Sequence, residues 1–323
     1  MISFFFNSLL IFIFILLAVA YFTLAERKIL GVTQQRKGPN VIGFYGLLQP
    51  LSDGLKLLAK EPIFPNNSDK LLFLIAPLLT FLISLLGWAV IPFSEKSFLI
   101  ELSLSSLYIL SCSALGIYGI LISGWASNSK YAFLGAMRSA AQMISYELPI
   151  GITLSILTTI TGSFNLNYII AIQKSIGFFF FFFPLLFLLF FICIVAETNR
   201  HPFDLPEAEA ELVSGYNVEY AAMSFALFSL GEYGNILLMS SFTIILFFGG
   251  WLPPIYCFLL PGSLWFSLKI IMFIFIFVLL RAGLPRYRYD QLMEIGWQIL
   301  MPLSFSFLVI NFILLFSFNY LPF

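Results

Sequence analysis

Eight stretches of this chain, roughly 3–25, 71–93, 99–124, 136–160, 176–196, 217–247, 264–282 and 294–318, are each apolar over about the 20 residues a helix needs to cross a bilayer. Hydrocarbon offers the backbone no hydrogen-bond partner, so segments of this kind fold as helices. The pattern predicts an all-α integral membrane protein, with about eight transmembrane helices in a single polytopic domain over residues 1–323. Composition agrees: 60% of residues are hydrophobic and only 10% charged, against about 25% charged in a soluble domain. The first stretch is too long for a secretory signal, and Glu26, Arg27 and Lys28 close it without a small-residue cleavage site. Pro77, Pro149 and Pro184 lie in or near spans, where they can kink a helix. The phenylalanines from Phe178 to Phe183 read as codon bias rather than a binding surface, given 40 Phe in the chain.

Charge placement orients the spans. If all eight alternate, Arg27, Lys28, Arg36, Lys37, Lys56, Lys60, Lys70, Lys130, Arg138, Arg200, Arg281, Arg286 and Arg288 share one face, leaving Lys96, Lys174 and Lys269 on the other. The positive-inside rule then puts the first group on the inner side and both termini on the outer side. Basic and acidic residues number 16 each, and no lysine-rich run interleaved with aromatics points to nucleic acid. Cys112, Cys193 and Cys257 are far apart and there is one histidine. That is no basis for a cluster or zinc site, so the expected metal set is none.

Two inner connections stand out. In the longer, over 29–70, Leu47, Leu48, Leu51, Leu55 and Leu58 recur at helical spacing, with Asp53, Lys56 and Lys60 elsewhere around the turn. This is a short amphipathic helix for the membrane interface, either a plain anchor or a doorway for a lipid-soluble substrate flanked by Arg36 and Tyr45. The second, over 197–216, begins ETNRHPFDLPEAEAE and gathers Glu197, Asp204, Glu207, Glu209 and Glu211 around Pro202 and Pro206. Acids at a membrane edge or within it are costly and are the usual parts of proton relays.

Further acids lie inside the spans. Glu147 follows Tyr146 at a depth of about 16 Å, near the bilayer midplane. Glu232 lies thirteen residues beyond Glu219 and should also be deep, while Glu26 and Glu197 close two spans on the inner side. Each could be a structural carboxyl bonded to a neighbouring helix. Together with Arg27, Arg138, Arg200 and Arg281, the series reads as a proton path.

Several motifs carry a resemblance that runs along essentially the whole chain: AERK at 25–28, QRKGPN at 35–40, GLLQPLSDGLKLLAKE at 46–61, RSAAQMISYE at 138–147, ETNRHPFDLPEAEAELVSGYNVEY at 197–220, GEY at 231–233 and RYRYDQLM at 286–293. In these the chain resembles the subunit 1 family of mitochondrial NADH:ubiquinone oxidoreductase, respiratory complex I. The resemblance implies a core membrane subunit of the mitochondrial inner membrane, with both termini on the intermembrane-space side. Such a subunit docks the peripheral redox arm, forms most of the ubiquinone tunnel and couples quinone reduction to proton translocation.

Carried over residue by residue, it implies quinone contacts at Arg27, Gln34, Arg36, Tyr45, Asp53, Lys56, Phe228, Tyr233 and Arg286. It implies proton handling by Glu26, Tyr146, Glu147, Glu197, Asp204, Glu207, Glu209, Glu211, Glu219 and Glu232, supported by Arg138, Arg200 and Arg281. Ubiquinone is then a substrate, and NADH, FMN and iron-sulfur clusters belong to partner subunits, since this chain has no glycine-rich nucleotide loop and no paired cysteines. His201 stands where the family commonly has a small residue, and as a lone histidine at a membrane edge it reads as a tolerated variant rather than a new ligand, although it could titrate near neutral pH beside Asp204. Three alternatives stay open: an ion-translocating subunit of hydrogenase type, a plastoquinone-using relative, and a structural anchor for a peripheral arm. Deep acids argue against the last.

Overall fold

The computed structural model describes residues 2–95, 97–204, 215–254 and 260–317, with backbone alone for 2–7. Among them are seven helices long and apolar enough to cross a membrane and one shorter apolar helix, and no strand is named. Helix α1 (Ile2–Thr33) is followed by α2 (Gln49–Ala59), α3 (Lys70–Leu86), α4 (Ser105–Ala126) and α5 (Lys130–Thr161). Then come α6 (Leu166–Ile176), α7 (Phe179–Phe182), α8 (Pro184–Glu197), α9 (Ala222–Phe247), α10 (Gly262–Gly283) and α11 (Tyr289–Ser317), the last π-helical over Ile295–Leu300.

The expected fifth span is the one that departs from a continuous helix. Proline disfavours helical geometry in the residue before it, and Phe183 takes φ −129° and ψ 59°, so the helix breaks there and restarts with Pro184 in the first turn of α8. With 14 residues, α8 reaches about 21 Å and does not cross a bilayer of about 30 Å by itself. The phenylalanine run has a packing role after all: Phe179 is buried, and Phe180 stacks on Phe248 at 4.9 Å and meets Phe187 edge-on at 5.1 Å. Helix α6 falls where only a connection was expected. Asn165 accepts from the Asn167 N–H at 2.9 Å to start it, and Gly177 at φ 118° ends it.

The core sits between α5, α8 and α9, whose inward faces include Tyr146, Leu154, Phe190, Cys193, Ile236 and Phe242. Helix α9 is the most enclosed membrane-length helix. Its C-terminal end is closed by Lys269 of α10, whose ammonium donates to the carbonyls of Phe248, Gly250 and Leu252 at 2.6, 2.8 and 2.7 Å. These are carbonyls at and just beyond a helix terminus, which need a donor from elsewhere. The ammonium also lies 5.2 Å from the centre of the Phe178 ring.

Helix α2 has the amphipathic form expected of it. None of its residues is buried, and Leu51, Leu55 and Leu58 are exposed. It rests on α1 and α9. An Arg27–Asp53 ion pair at 2.7 Å ties it to α1, and Gln49 donates to the same carboxylate at 2.9 Å.

Candidate functional site

The C-terminal parts of α1 and α10, the turn that follows α8 and the middle of α9 meet at Glu26. Nothing before it in α1 is charged, and its carboxylate is 3% exposed. One oxygen accepts from Arg281, and the other accepts from Arg200 at 2.9 Å and from the Tyr233 hydroxyl at 2.6 Å. The Arg200 guanidinium lies 4.6 Å from the centre of the Tyr233 ring, whose edge meets Phe22 at 5.1 Å. A buried carboxylate held by two guanidiniums and a phenol has its lone pairs satisfied, and the group as a whole keeps one excess positive charge.

Two cavities approach this cluster. One, of about 690 Å³, is a groove between α1 and α10 lined by apolar side chains that include Phe14, Phe22, Trp88, Phe266 and Ile274, and it reaches Ala25 beside Glu26. The other, of about 620 Å³, lies at the C-terminal end of α1 and is lined by Arg27, Leu30, Arg36, Lys37 and the Gly38–Val41 stretch. Arg36 donates to Gln34 at 2.9 Å, and Lys28 donates to the Tyr45 carbonyl. Gly46 packs so closely that a Cβ there would stand 2.3 Å from the Pro39 carbonyl oxygen, and its φ is +75°, so only glycine fits. Lys56 is exposed on α2.

The remaining acids occupy a second region, on α5, α8, the start of the 197–216 connection and α9. Tyr146 is fully buried and donates to the Leu292 carbonyl at 2.8 Å, just before the π-helical segment of α11. Glu147 beside it is half-buried. Glu197 is 4% exposed, and neither of its carboxylate oxygens has a hydrogen-bond partner among the described residues. Asp204 is buried and pairs with Arg286 at 3.3 Å. Glu232 accepts from the Tyr216 hydroxyl. Glu219 is half-buried ahead of α9, and Arg138 lies over the Tyr289 ring at 5.6 Å. Glu207, Glu209 and Glu211 lie outside the described residues.

The site therefore gathers some expected residues and separates others. Tyr233 sits with Glu26 rather than with Arg36 and Tyr45, and Phe228 is enclosed by Tyr216 and Tyr220 at 5.4 and 4.9 Å. His201 does not pair with Asp204, which is taken by Arg286. Its Nδ1 is buried without a partner among the described residues, and burial, then the charges of Arg286 and Arg281, hold its pKa below the ordinary value, so the ring is neutral at pH 7.

Residues not singled out in the sequence complete the site. Buried Gln142 donates to the carbonyls of Ala196 and Phe203, both at 2.8 Å, and so fixes the two ends of the segment leading out of α8. It sits in the RSAAQMISYE run, where an amide amid apolar residues was a usable signal. Tyr216 had no such signal, because its partner lies on another helix.

A family model described as NADH dehydrogenase matches residues 6–312. The chain is 55% identical over 311 residues to NADH-ubiquinone oxidoreductase chain 1 of Chondrus crispus, covering 95% of each chain. It is 54% identical over 312 residues to the protein of that name from Arabidopsis thaliana, covering 95% of each. A bacterial NADH-quinone oxidoreductase subunit, from Rickettsia typhi, is 53% identical over 310 residues, 94% of this chain and 91% of that one. A match of this extent, on a helical membrane fold with buried acids at one end, makes the chain a member of the NADH dehydrogenase family, among the chain 1 membrane subunits of NADH:quinone oxidoreductases and their bacterial counterparts.

Proposed function

We propose that this subunit receives ubiquinone from the mitochondrial inner membrane, guides it toward a docked peripheral arm, and converts its reduction into proton movement through buried carboxylates. The observation that carries the proposal is the Glu26–Arg200–Arg281–Tyr233 cluster, a charged group inside the protein and next to both a basic cavity and an apolar groove. A quinone pairs an apolar tail with two carbonyl acceptors. Arginines and tyrosines can donate to those carbonyls without trapping the ring.

The relatives' printed names, NADH-ubiquinone and NADH-quinone oxidoreductase, favour a quinone reading over a hydrogenase-type one. Helix α2 is the doorway, because it rests on α1 and α9, which bear Glu26 and Tyr233. Arg27, Gln34, Arg36, Tyr45, Asp53 and Lys56 border the approach. NADH, FMN and the iron-sulfur clusters belong to the partner subunits.

Reducing a quinone adds negative charge that draws protons. Glu147, Glu197, Asp204 and Glu232, together with Glu207, Glu209 and Glu211, respond by exchanging protons as the 197–216 connection moves. With α7 and α8 crossing the bilayer together as the eighth span, both termini face the intermembrane space. The test is kinetic, in the assembled complex. Arg36→Ala should raise the quinone KM by about threefold to tenfold, the worth of one partly solvated charged hydrogen bond, with a smaller change in kcat. A KM unchanged for every quinone removes Arg36 from the path. For the relay, a Glu197→Gln, Glu209→Gln double variant that pumps at the full rate refutes the coupling role.

A further inference from the structure

Glu197 presents an unsolved problem of solvation. A carboxyl this enclosed is expensive unless it is hydrogen-bonded, and neither oxygen meets a partner among the described residues. It borders a small cavity of about 20 Å³ between α3, α4, α5, α8 and α9, whose polar lining besides Glu197 is Cys112, Ser113, Thr198 and Asn235. On the same measure, a site needs about 10 to 15 Å³ to admit one water, which must find two to four polar partners.

The donors and acceptors of this lining select one side chain. The Ser113 hydroxyl donates to the Leu110 carbonyl at 2.8 Å, and the Thr198 hydroxyl to the Ile194 carbonyl at 3.0 Å, so both offer the cavity acceptors only. A thiol is a weak donor. Asn235 has both an N–H₂ and a carbonyl oxygen, so it can donate to a water that Glu197 binds as carboxylate, or accept from one that Glu197 binds as acid. It can therefore hold the same water in either protonation state of its neighbour.

We propose that this cavity is a single-water site, and that Asn235 is the positioning residue that holds its water against the Glu197 carboxyl. The proposal rests on the proton-carrying role given to Glu197 above. When Glu197 gives up its proton, the O–H bond breaks, the water takes that proton and releases one of its own. Glu147 is the carboxyl whose charge acts on Glu197 and is the acceptor for the released proton, while Glu232 lies on α9 three residues before Asn235. At 3.6 residues per turn the two stand about 60° apart around α9, whereas Tyr233 is about 160° from Asn235. Helix α9 thus keeps the Glu26 cluster on one face and the Glu197 water on the other.

The experiment uses the assembled complex. A high-resolution structure should show an ordered water within hydrogen-bond distance of both the Glu197 carboxyl and the Asn235 amide, and a cavity whose water does not touch Asn235 overturns the assignment. In proteoliposomes, Asn235→Leu should slow quinone-driven proton translocation about tenfold, the worth of one lost buried link. Oxidation of NADH by an artificial acceptor should be unchanged.

The infrared carbonyl band of protonated Glu197, assigned by its loss in Glu197→Gln, should shift in Asn235→Leu and return toward its original position in Asn235→Ser, which restores a hydroxyl and room for water. If Asn235→Leu fails to assemble, the band and rate of Asn235→Ser decide. Impaired pumping in Glu197→Gln with a normal rate and unshifted band in Asn235→Leu refutes Asn235 alone, whereas full pumping in Glu197→Gln refutes the relay beneath it.

Discussion

Replacing Glu26 by glutamine keeps the shape of the side chain and removes its charge, leaving Arg200 and Arg281 close together with no anion between them. The carboxylate accepts from three donors, two of them cationic. Removing one member of a buried ion pair costs about 3 to 5 kcal/mol. The Arg281 side chain is 33% exposed and Arg200 13%, so water shares part of the burden and the lower end, about 3 kcal/mol, applies. Tyr233→Phe removes only the hydroxyl and leaves the ring against Arg200 and Phe22. It should cost about 1.5 kcal/mol, the lower bound for a hydrogen bond to a charged group.

The assay is heat inactivation of quinone reductase activity in the assembled complex, read as the temperature at which half the activity survives. Glu26→Gln should fall by several degrees and Tyr233→Phe by about half as much. Adding Arg200→Gln to Glu26→Gln should recover part of the loss, because a second unpaired charge is then removed. If Glu26→Gln is as heat-stable as the parent, or the double variant is worse by the full sum of the singles, the carboxylate is not the counter-charge described here.

Lys269→Met should strip three carbonyls of their shared donor and lower the same midpoint by the equivalent of at least about 3 kcal/mol, with quinone KM unchanged. Gly135→Ala should disturb the Tyr216–Glu232 contact, since a Cβ at 135 would lie 2.7 Å from Gly215 Cα; quinone-driven pumping should fall while Gly151→Ala, with open space around it, leaves it unchanged. His201 is held below its ordinary pKa in the folded state, so the unfolded chain binds the extra proton first. Its contribution to stability is present above about 6.5 and is lost as pH falls through the folded value. The heat-inactivation midpoint of His201→Gln should decline less between pH 7 and 5 than that of the parent, and parallel curves would show that His201 is not desolvated.

The helices were legible because lipid leaves the backbone one choice and apolar runs report it. Helix α2 was legible from the spacing of Leu47, Leu51, Leu55 and Leu58. The break before Pro184 had a local cause that could have been read, and α6 carried its own stop in Gly177. What could not be read were pairings across the chain. Glu26 finds Arg200 and Arg281 at separations of 174 and 255 residues, and no periodicity encodes which arginine meets which acid. For Lys269 the sequence showed only which side it falls on, because its partners are backbone carbonyls, which every residue offers. The acids of the site were visible as chemistry, but that Glu26 is fully paired and Glu197 is not could be seen only once α1, α8 and α9 were packed.

The central claim, that quinone travels past the interfacial helix toward the charged cluster at Glu26, is tested most directly by a structure of the assembled complex with ubiquinone bound. The account predicts quinone density passing Arg36 and Tyr45 at α2 and continuing toward Tyr233. Density that reaches the peripheral arm by another route, touching none of Arg27, Arg36, Tyr45 or Tyr233, would contradict it.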